Sequence, residues 1–295
     1  MSEVAAAWEH DSSFRLSVVI PTLNEARNIV PVLAAIPCCV DEVILVDGHS
    51  VDGTVEMALA VRPDLVVVRQ TRRGKGNALA AGIAAARGQY VVMLDADGSM
   101  DPAEIHSFVA ALDAGADYAK GSRFRAAGGS ADLTPLRRAG NAALNRLTNL
   151  LFGTRFTDLC YGYNAFRRSR HGVFGLADPH QPSPVPLWGD GFEIETLINI
   201  WAAKAGLIIQ EVASFEHPRR YGESNLNTFR DGTRVLWTIL TERFRPTRRD
   251  EIMDASAPVT RRRPLPTKRL ATVKTSPTGR GVDELADDGT SSRVA

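Results

Sequence analysis

Gln89-Tyr-Val-Val-Met-Leu-Asp-Ala-Asp97 is the stretch from which both the fold and the chemistry are predicted. Its apolar, β-prone part predicts a buried strand at 90–94 that ends in two acidic residues. Residues i and i+2 of an extended chain point the same way, so Asp95 and Asp97 can face one cation. Carboxylate oxygens suit Mg²⁺ or Mn²⁺, which commonly bridge one or two carboxylates to substrate phosphates. The same residues also suit a solvated turn, so the rest of the chain must decide.

Short apolar runs alternate with helix-like segments on both sides of this stretch. The predicted strands are 16–20, 42–46, 65–68 and 90–94, and the predicted helices are 26–36, one starting near 52, 76–87 and 102–114. Continuous apolar strands separated by helices are typical of a parallel sheet with helices on both faces. The sequence therefore predicts an α/β, Rossmann-like fold, in which ligands bind beyond the carboxyl ends of the strands.

Polar and small residues follow each of these predicted strands. Asn24 and Glu25 follow the first strand, Asp47 the second, and Lys75, which stands between two glycines, the third. Each cluster alone has a structural explanation, because such side chains cap helices and glycines turn the chain. Four clusters on the carboxyl side of one sheet favour a binding site instead. With the paired aspartates, that site suits a nucleotide diphosphate and a divalent cation.

The second half of the chain is less regular. We expect a strand at 117–120, a helix at 136–152, a loop at 180–186, a helix at 192–205, a strand at 207–212 and a final helix at 229–244. We predict a single folded domain at 15–245. A disordered N-terminus (1–14) and a basic, low-complexity, disordered tail (246–295) are expected to flank it.

The composition predicts a sizeable core without disulfides. The chain has 295 residues, 44% of them hydrophobic, and its three cysteines have neither disulfide nor metal-ligand spacing. No signal peptide is expected from the first fifteen residues, and no run reaches the roughly 18 apolar residues needed to span a bilayer. We therefore expect a cytoplasmic protein, soluble or peripheral at the inner face of the membrane.

Charge is distributed unevenly along the chain. Residues 243–295 hold 12 Lys or Arg against 7 Asp or Glu, a net charge of +5, whereas the rest holds 23 against 27, a net charge of −4. A charged tail is commonly only solvated by water and binds no partner. Its place directly after an amphipathic stretch makes binding to an anionic membrane surface the sharper alternative. We expect no nucleic-acid partner.

Four motifs, taken in order, carry a resemblance to a known family. They are Val-Val-Ile-Pro-Thr-Leu-Asn-Glu (18–25), Val-Asp-Gly-His-Ser-Val-Asp-Gly-Thr (46–54), Arg-Gly-Lys-Gly-Asn-Ala (73–78) and Leu-Asp-Ala-Asp-Gly (94–98). The set resembles the inverting GT-A glycosyltransferases of family 2, and among these the dolichol-phosphate and polyprenyl-phosphate mannosyl- and glucosyltransferases. Motifs at 121–124, 157–167, 191–195 and 216–224 extend the resemblance over about residues 14–244.

The resemblance implies a function and a set of site residues. The implied activity is metal-dependent, inverting transfer of a hexose from a GDP- or UDP-sugar to a polyprenyl (dolichyl-type) phosphate. The implied nucleotide-sugar site consists of Pro21, Asn24, Glu25, Asp47, Lys75, Asp95, Ala96 and Asp97. Asp95, Asp97 and Glu193 are the implied catalytic residues, and Asp95, Asp97 and His217 are the implied ligands of Mg²⁺ or Mn²⁺.

An acceptor that carries a phosphate is expected to meet arginines, because guanidinium groups match phosphate geometry. Five arginines lie in or near the acceptor motifs: 123, 137, 138, 219 and 220. Of these we select Arg123, Arg138 and Arg220, together with Ser224.

For Lys75, we expect contact with a diphosphate oxygen, with flexible flanking glycines letting the loop approach; a surface lysine is the alternative.

The nature of the acceptor decides whether a base is needed. A phosphate monoester is mostly a dianion at pH 7 and attacks without a strong base. A sugar hydroxyl would need a carboxylate base, for which Asp190, Glu193 and Glu195 are candidates. His217 is either a metal ligand or a histidine of a buried loop.

Two departures from the family pattern keep other functions open. Gly48 stands where such enzymes commonly have a second aspartate, and the transmembrane helices that often follow the catalytic domain are not expected here. The alternatives are transfer to a soluble or glycan hydroxyl, and an inactive GT-A domain that recruits others to membranes through its tail. A dehydrogenase is disfavoured, because no Gly-x-Gly-x-x-Gly follows the first strand.

Overall fold

A seven-stranded sheet lies at the centre of the computed structural model, which describes residues 15–222 and 228–245. The strands of the described ranges are β1 (Leu16–Thr22), β2 (Glu42–Asp47), β3 (Val66–Arg69), β4 (Tyr90–Met93), β5 (Tyr118–Ser122), β6 (Gly129–Ser130), β7 (Asn164–Arg167), β8 (Ile209–Ala213) and β9 (Phe215–Glu216). The sheet order is β3-β2-β1-β4-β7-β5-β8, and β6 pairs with β9 in a separate small sheet.

Helices connect these strands and cover both faces of the sheet. They are α1 (Ala26–Ala34), α2 (Thr54–Val61), α3 (Lys75–Ala85), α4 (Ile105–Asp113), α5 (Pro135–Phe152), α6 (Ile194–Lys204) and α7 (Thr228–Phe244), with 3-10 helices at Pro102–Glu104 and Arg168–Phe174. The fold prediction is confirmed: the protein has an α/β architecture with a mostly parallel sheet. The predicted loop at 180–186 also carries no helix or strand.

Alternate side chains of the central strands explain why helices cover both faces. Val18 and Ile20 of β1 join one apolar cluster, which α1, α2 and α4 complete. Val19, between them, faces the other side and joins a cluster completed by α3 and α6. Successive residues of a strand point to opposite faces, so a continuous apolar strand buries both sides of itself.

Strand β7 is the main feature that the sequence-based prediction lacks. It is four residues long, Asn-Ala-Phe-Arg, and it lies antiparallel between β4 and β5. So short a segment with polar ends has no strand signal of its own. Its place in the sheet comes from long-range pairing, in which Ala165 lies opposite Val92 on one side and Ala119 on the other.

A third apolar cluster joins the helices that follow the sheet. Phe156, Ile200, Val235 and Ile239 are buried there, and Leu144, Leu147 and Leu151 of α5 pack against them. The apolar face predicted for the 136–152 helix therefore packs mainly on α6 and α7, with Ile209 of β8 bordering the same cluster.

Parallel pairing brings the carboxyl ends of β1, β2, β3 and β4 to one edge of the sheet. Thr22 at the end of β1 is paired with Asp47 at the end of β2, and Asp47 is paired with Arg69 of β3. The loops that leave these strands therefore meet at the same edge, where ligands bind in sheets of this kind.

Several expectations lie outside the described residues. These are the disordered N-terminus (1–14) and the basic tail (246–295). Within residues 15–222 and 228–245, no helix has the length and apolar character needed to cross a membrane.

Two glycines within helices make a matched test of this packing. A methyl group on Gly82 of α3 would overlap Val19 Cγ1 and lie 2.8 Å from Val46 Cγ2, whereas one on Gly140 of α5 meets no atom within 4 Å. We expect Gly82→Ala to lower the free energy of unfolding by about 1–3 kcal/mol through overpacking. We expect Gly140→Ala to raise it by up to about 1 kcal/mol, because alanine favours helices. Urea unfolding measures both; equal effects would contradict the packing described here.

Candidate active site

The paired aspartates lie at the carboxyl end of β4. Every residue of β4 is buried, and Leu94 continues the sheet by donating its N–H to the Val19 carbonyl (3.0 Å). The chain then turns, and the side chains of Asp95 and Asp97, 27% and 23% exposed, line a cavity of about 610 Å³. A buried strand thus delivers two carboxylates to one open space.

A tight turn orients these carboxylates. Asp97 Oδ1 accepts a hydrogen bond from the Ser99 N–H (2.9 Å), and Gly98 has a φ of +78°, which glycine adopts without strain. The turn alternative raised by the sequence is therefore correct, and it does not exclude the site. The turn occupies only one oxygen of Asp97 and leaves the other facing the cavity side, where Arg219 Nη1 lies 3.5 Å away.

Lys75 connects this turn to the second half of the chain. Its Nζ lies 2.7 and 2.8 Å from the two oxygens of Asp95 and 2.6 Å from Glu195 Oε1. Burial lowers the pKa of Lys75, but the two carboxylates outweigh burial and raise it above its ordinary value. Lys75 therefore carries a positive charge inside the cavity, and the surface-lysine alternative is wrong.

The glycines beside Lys75 are packed closely. A Cβ on Gly74 or Gly76 would overlap the carbonyl oxygens of Asp190 and Gly189. The Gly76 N–H donates to the Asp190 carbonyl (2.8 Å), and Arg72 pairs with the Asp190 carboxylate at 2.8 and 3.0 Å. The expected flexible approach of this loop is thus replaced by a close contact between two backbones, which only glycine permits.

Of the three candidate bases, Glu195 alone lines the cavity. Asp190 is buried in its pair with Arg72. Glu193, proposed as catalytic, turns away: its Oε1 accepts from the N–H groups of Gly189 and Gly191 (both 3.3 Å), and Oε2 lies 3.7 Å from Arg234 Nη1. Glu193 thus shapes the loop before α6, and a catalytic role for it stays a prediction that this geometry does not favour.

The carboxylate pair fits a divalent cation held partly by a substrate. Burial and the neighbouring Asp97 raise the pKa of Asp95 to about 6, despite the opposing effect of Lys75. A cation would relieve this repulsion between carboxylates. Among residues 15–222 and 228–245, no three His, Cys, Asp or Glu side chains are arranged to bind a metal by themselves. A bound ion would therefore need oxygens from elsewhere, as Mg²⁺ commonly takes from phosphates.

The ends of β1 and β2 contribute unequally. Pro21, Glu25 and Ala96 line the cavity, whereas Asn24 and Asp47 do not. Asn24 Oδ1 accepts from the Val51 N–H (2.9 Å), and Asp47 Oδ1 accepts from the Ser50 N–H (3.1 Å). Both residues therefore order the loop after β2, and their contact with a nucleotide stays a prediction.

The loop after β9 crosses the same opening. His217 donates its backbone N–H to Ser99 O (2.8 Å) and lines the cavity, with its ring packed on Phe215. The Arg219 guanidinium pairs with Glu25 and lies 3.5 Å from Asp97. Asp95, Asp97 and His217 do not form a three-ligand group here, so His217 as a ligand stays a prediction.

The guanidinium group of Arg123 is already paired with two carboxylates. It donates to both oxygens of Asp158 (2.7 and 2.9 Å) and to Glu216 Oε2 (2.9 Å), with 7% of its side chain exposed. Burial raises the pKa of Asp158, but hydrogen bonds from Arg123 outweigh it, and the pKa is lowered. Arg123 lines the cavity as a member of a buried ion pair. Its role as a phosphate ligand stays a prediction.

For two of the arginines predicted to bind the acceptor phosphate, the neighbouring arginine lines the cavity instead. Arg137 does so and Arg138 is exposed, with its guanidinium 5.6 Å from the Phe124 ring centre. Arg219 lines it and Arg220 is exposed. Helix periodicity signals the first case, because Arg137 lies seven residues before the inward-facing Leu144. The irregular loop gave no such signal for Arg219. Ser224 lies outside the described residues.

The cavity lining also includes apolar side chains from the second half of the chain, alongside polar ones such as Asp132 and Asp231. The apolar ones include Leu133, Leu144, Phe192 and Val235, from the segments around α5, α6 and α7, with Arg137 and Asn141 among them. Sequence reasoning did not assign Phe192, Asn141 or Val235 to a site, since an apolar helix face has the same pattern whether it packs or lines a cavity.

Comparison with known proteins identifies the family. A sequence model described as "Glycosyl transferase family 2" matches residues 17–173, more than half of the chain. The chain belongs to glycosyl transferase family 2. The predicted family and the predicted glycosyltransferase activity are both confirmed.

Two curated relatives of this family 2 chain come from Haloferax volcanii. Glycosyltransferase AglJ is 33% identical over 226 residues, covering 73% of this chain and 67% of AglJ. Dolichyl-phosphate hexose transferase is 31% identical over 237 residues, covering 78% of this chain and 96% of that protein. For three other relatives the match covers only 50–62% of the relative's own length.

A solved structure shares the fold. Glucosyl-3-phosphoglycerate synthase from Mycobacterium tuberculosis, in complex with Mn²⁺, UDP and glucosyl-3-phosphoglycerate, has a TM-score of 0.57 and 24% identity. The match covers 79% of this chain and 81% of that one. At this level of identity the match supports the fold assignment only.

Glu193 and Glu195 allow a matched test of the cavity in this family 2 enzyme. We expect Glu195→Gln to lower kcat/KM for a nucleotide sugar about 10- to 100-fold, because Lys75 loses a charged partner and its position. We expect Glu193→Gln to change kcat/KM less than about threefold, provided the protein stays folded by circular dichroism. The reverse order of effects would show that Glu193, as first predicted, is the catalytic carboxylate.

Proposed function

We propose that this glycosyltransferase transfers a hexose from a nucleotide-diphosphate sugar to a polyprenyl phosphate, with a divalent cation in the donor site. One observation carries the proposal. A single cavity is lined both by Asp95, Asp97 and Lys75 and by Arg137 with apolar side chains of α5 and α7. The first set suits a diphosphate with its cation, and the second suits a phosphate joined to a hydrocarbon chain.

On the donor side, the residues hold and neutralise a leaving diphosphate. A cation bound there would supply positive charge against the charge that grows on the diphosphate as the sugar leaves. Asp95 and Asp97 are the residues that would hold it. Lys75, positively charged and fixed by Asp95 and Glu195, lies within the same cavity to contact a phosphate oxygen. Glu25 and Pro21 lie nearest the end of β1, where the nucleoside would extend.

On the acceptor side, Arg137 is the arginine best placed to receive a phosphate. It lies in the first turn of α5. Its only described ion pair is with Asp132, whose Oδ2 lies 3.1 Å from Arg137 Nη1 and whose side chain is 52% exposed. An exposed pair of this kind is worth little, so a phosphate can replace Asp132. Leu133, Leu144 and Val235 would then contact the start of the hydrocarbon chain.

The reaction itself is a direct displacement. An oxygen of the acceptor phosphate forms the new bond to the anomeric carbon as the bond from that carbon to the donor diphosphate breaks, which inverts the configuration. The phosphate is mostly dianionic at pH 7, so no strong base is needed. Glu195, which is paired with Lys75, is then not required as a base.

One relative supports a polyprenyl phosphate as the acceptor, and one structural neighbour supports an alternative. Dolichyl-phosphate hexose transferase, matched over nearly its whole length, is named for a polyprenyl-type phosphate. The solved synthase carries glucosyl-3-phosphoglycerate, so its acceptor is a small molecule that also bears a phosphate. A small phosphorylated hydroxyl acceptor is therefore the second candidate, and the same arginines would serve it.

A transfer assay separates these functions. Purified full-length protein is incubated with radiolabelled GDP- or UDP-hexoses, with or without Mn²⁺, and with either a polyprenyl phosphate or phosphoglyceric acid. We expect label in the butanol phase only with the polyprenyl phosphate and Mn²⁺. Label that stays in water as a phosphoglycerate product would support the second candidate. No transfer or hydrolysis of any donor would favour the inactive domain that Gly48 suggested.

Asp97 allows a direct test of the cation site. We expect Asp97→Asn to lower kcat at least about 100-fold and to abolish Mn²⁺-dependent thermal stabilisation by nucleoside diphosphate, because one carboxylate ligand is lost. Asp64→Asn is the matched control, since Asp64 is 66% exposed and pairs only at the surface with Arg62. A variant Asp97→Asn with near-normal turnover would exclude the cation site proposed here.

The two neighbouring arginines of α5 test the acceptor end. We expect Arg137→Gln to raise KM for polyprenyl phosphate about tenfold or more and to leave KM for the nucleotide sugar nearly unchanged, because one charge-assisted contact is lost. Arg138→Gln, at the exposed neighbour, should change both values less than about twofold. Steady-state kinetics with each substrate varied in turn measures this; a larger effect at Arg138 would restore the sequence-based choice.

A further inference from the structure

The outward face of α7 is apolar. Leu236, Trp237, Leu240 and Phe244 are 39%, 66%, 39% and 87% exposed. At 3.6 residues per turn these positions fall within roughly 100° of the helix circumference, as one stripe. The opposite side of the helix packs into the third apolar cluster. A contiguous stripe of large exposed side chains, unlike scattered ones, marks an interaction surface.

Charges at the edges of this stripe are positive. The exposed ionisable side chains of α7 are Arg230, Arg234 and Arg243, whereas its two acids, Asp231 and Glu242, are only 8% and 0% exposed. The neighbouring helix α5 contains three arginines and no acidic residue. A helix with an apolar stripe bordered by arginines has the chemistry of one that lies in the interface of an anionic membrane.

The same helix forms part of the cavity wall. Gly232 and Val235 of α7 line the cavity, together with Leu144 of α5. Val235 lies opposite Trp237 and Phe244 on the helix circumference, and Gly232 lies one turn before Leu236, so one helix carries both the stripe and part of the cavity wall. A lipid surface under the stripe would lie beside the part of the cavity assigned to a hydrocarbon chain.

We infer that the outward face of α7, defined by Leu236, Trp237, Leu240 and Phe244, binds the headgroup region of a membrane that contains anionic phospholipid. The aromatic and aliphatic side chains enter the boundary between headgroups and acyl chains, and the arginines meet lipid phosphates. This inference deepens the proposed function and rests on it, because membrane binding would bring the enzyme to a lipid acceptor. Vesicle binding needs neither donor nor acceptor, so it succeeds or fails independently of transfer.

The test uses the full-length protein and flotation with phosphatidylcholine vesicles, with or without phosphatidylglycerol. We expect binding to the mixed vesicles, weakened by salt. Trp237→Ser combined with Phe244→Ser should lower the partition coefficient about tenfold or more, because two large apolar side chains no longer insert. Val51→Ser combined with Val185→Ser, at sites 90% and 62% exposed elsewhere, is the matched control and should bind as the unaltered protein does.

Two further measurements separate α7 from the basic tail and from catalysis. Brominated phosphatidylcholine, included in the mixed vesicles, should quench tryptophan fluorescence, and Trp237→Phe should remove most of that quenching while binding is retained. Gln substitutions at Arg261, Arg262 and Arg263 in the full chain should lower binding less than the Trp237/Phe244 pair does. That pair should also keep its transfer rate toward an acceptor dissolved in detergent.

Three outcomes would overturn the inference. The first is equal binding by the Trp237/Phe244 variant and the unaltered protein. The second is loss of binding on substitution of the tail arginines alone, which would return membrane binding to the tail. The third is a dimer in sedimentation that the Trp237/Phe244 variant converts to a monomer, with no vesicle binding, which would make the stripe an interface between two copies of the chain.

Discussion

The site depends on one ion cluster, in which Lys75 lies between Asp95 and Glu195. The two carboxylates are 20 and 120 residues away along the chain, so the cluster ties the end of β4 to the start of α6. Burial lowers the pKa of a lysine in such a place, and the two acids raise it above its ordinary value. The cavity therefore has a fixed positive group beside two aspartates before any ligand enters, which is the preorganisation that stabilises a departing diphosphate.

Two buried ion pairs hold the walls around this cluster. Arg72 with Asp190 fixes the loop that meets the glycines beside Lys75, and Arg123 with Asp158 fixes the wall next to Glu216. Buried pairs add little net stability, but removing one partner commonly costs about 3–5 kcal/mol. Their effect here is on geometry, because each ion pair holds a polar loop in position beside the cavity.

The cavity lining combines charged and apolar side chains, and the fold explains why. Asp95, Asp97 and Glu25 come from loops that follow parallel strands, and Lys75 and Glu195 come from the first turns of α3 and α6. Leu144 and Val235 come from α5 and α7, whose packing on α6 leaves part of their apolar surface facing the cavity. One face of α7 thus borders a substrate site while the opposite face presents Trp237 and Phe244 to the outside. A lipid substrate and a lipid surface would meet at this helix.

The sequence alone determined the alternating strands and helices, the family, and the acidic pair after β4, because apolar periodicity and local motifs act over short distances. Tertiary structure decided the short strand β7, which exists only through its two neighbours. It also decided which of two adjacent residues faces the cavity: Glu195 rather than Glu193, and Arg219 rather than Arg220. Neighbouring charged residues have the same composition signal, and only long-range packing distinguishes the side chain that enters a site from the one that braces its wall.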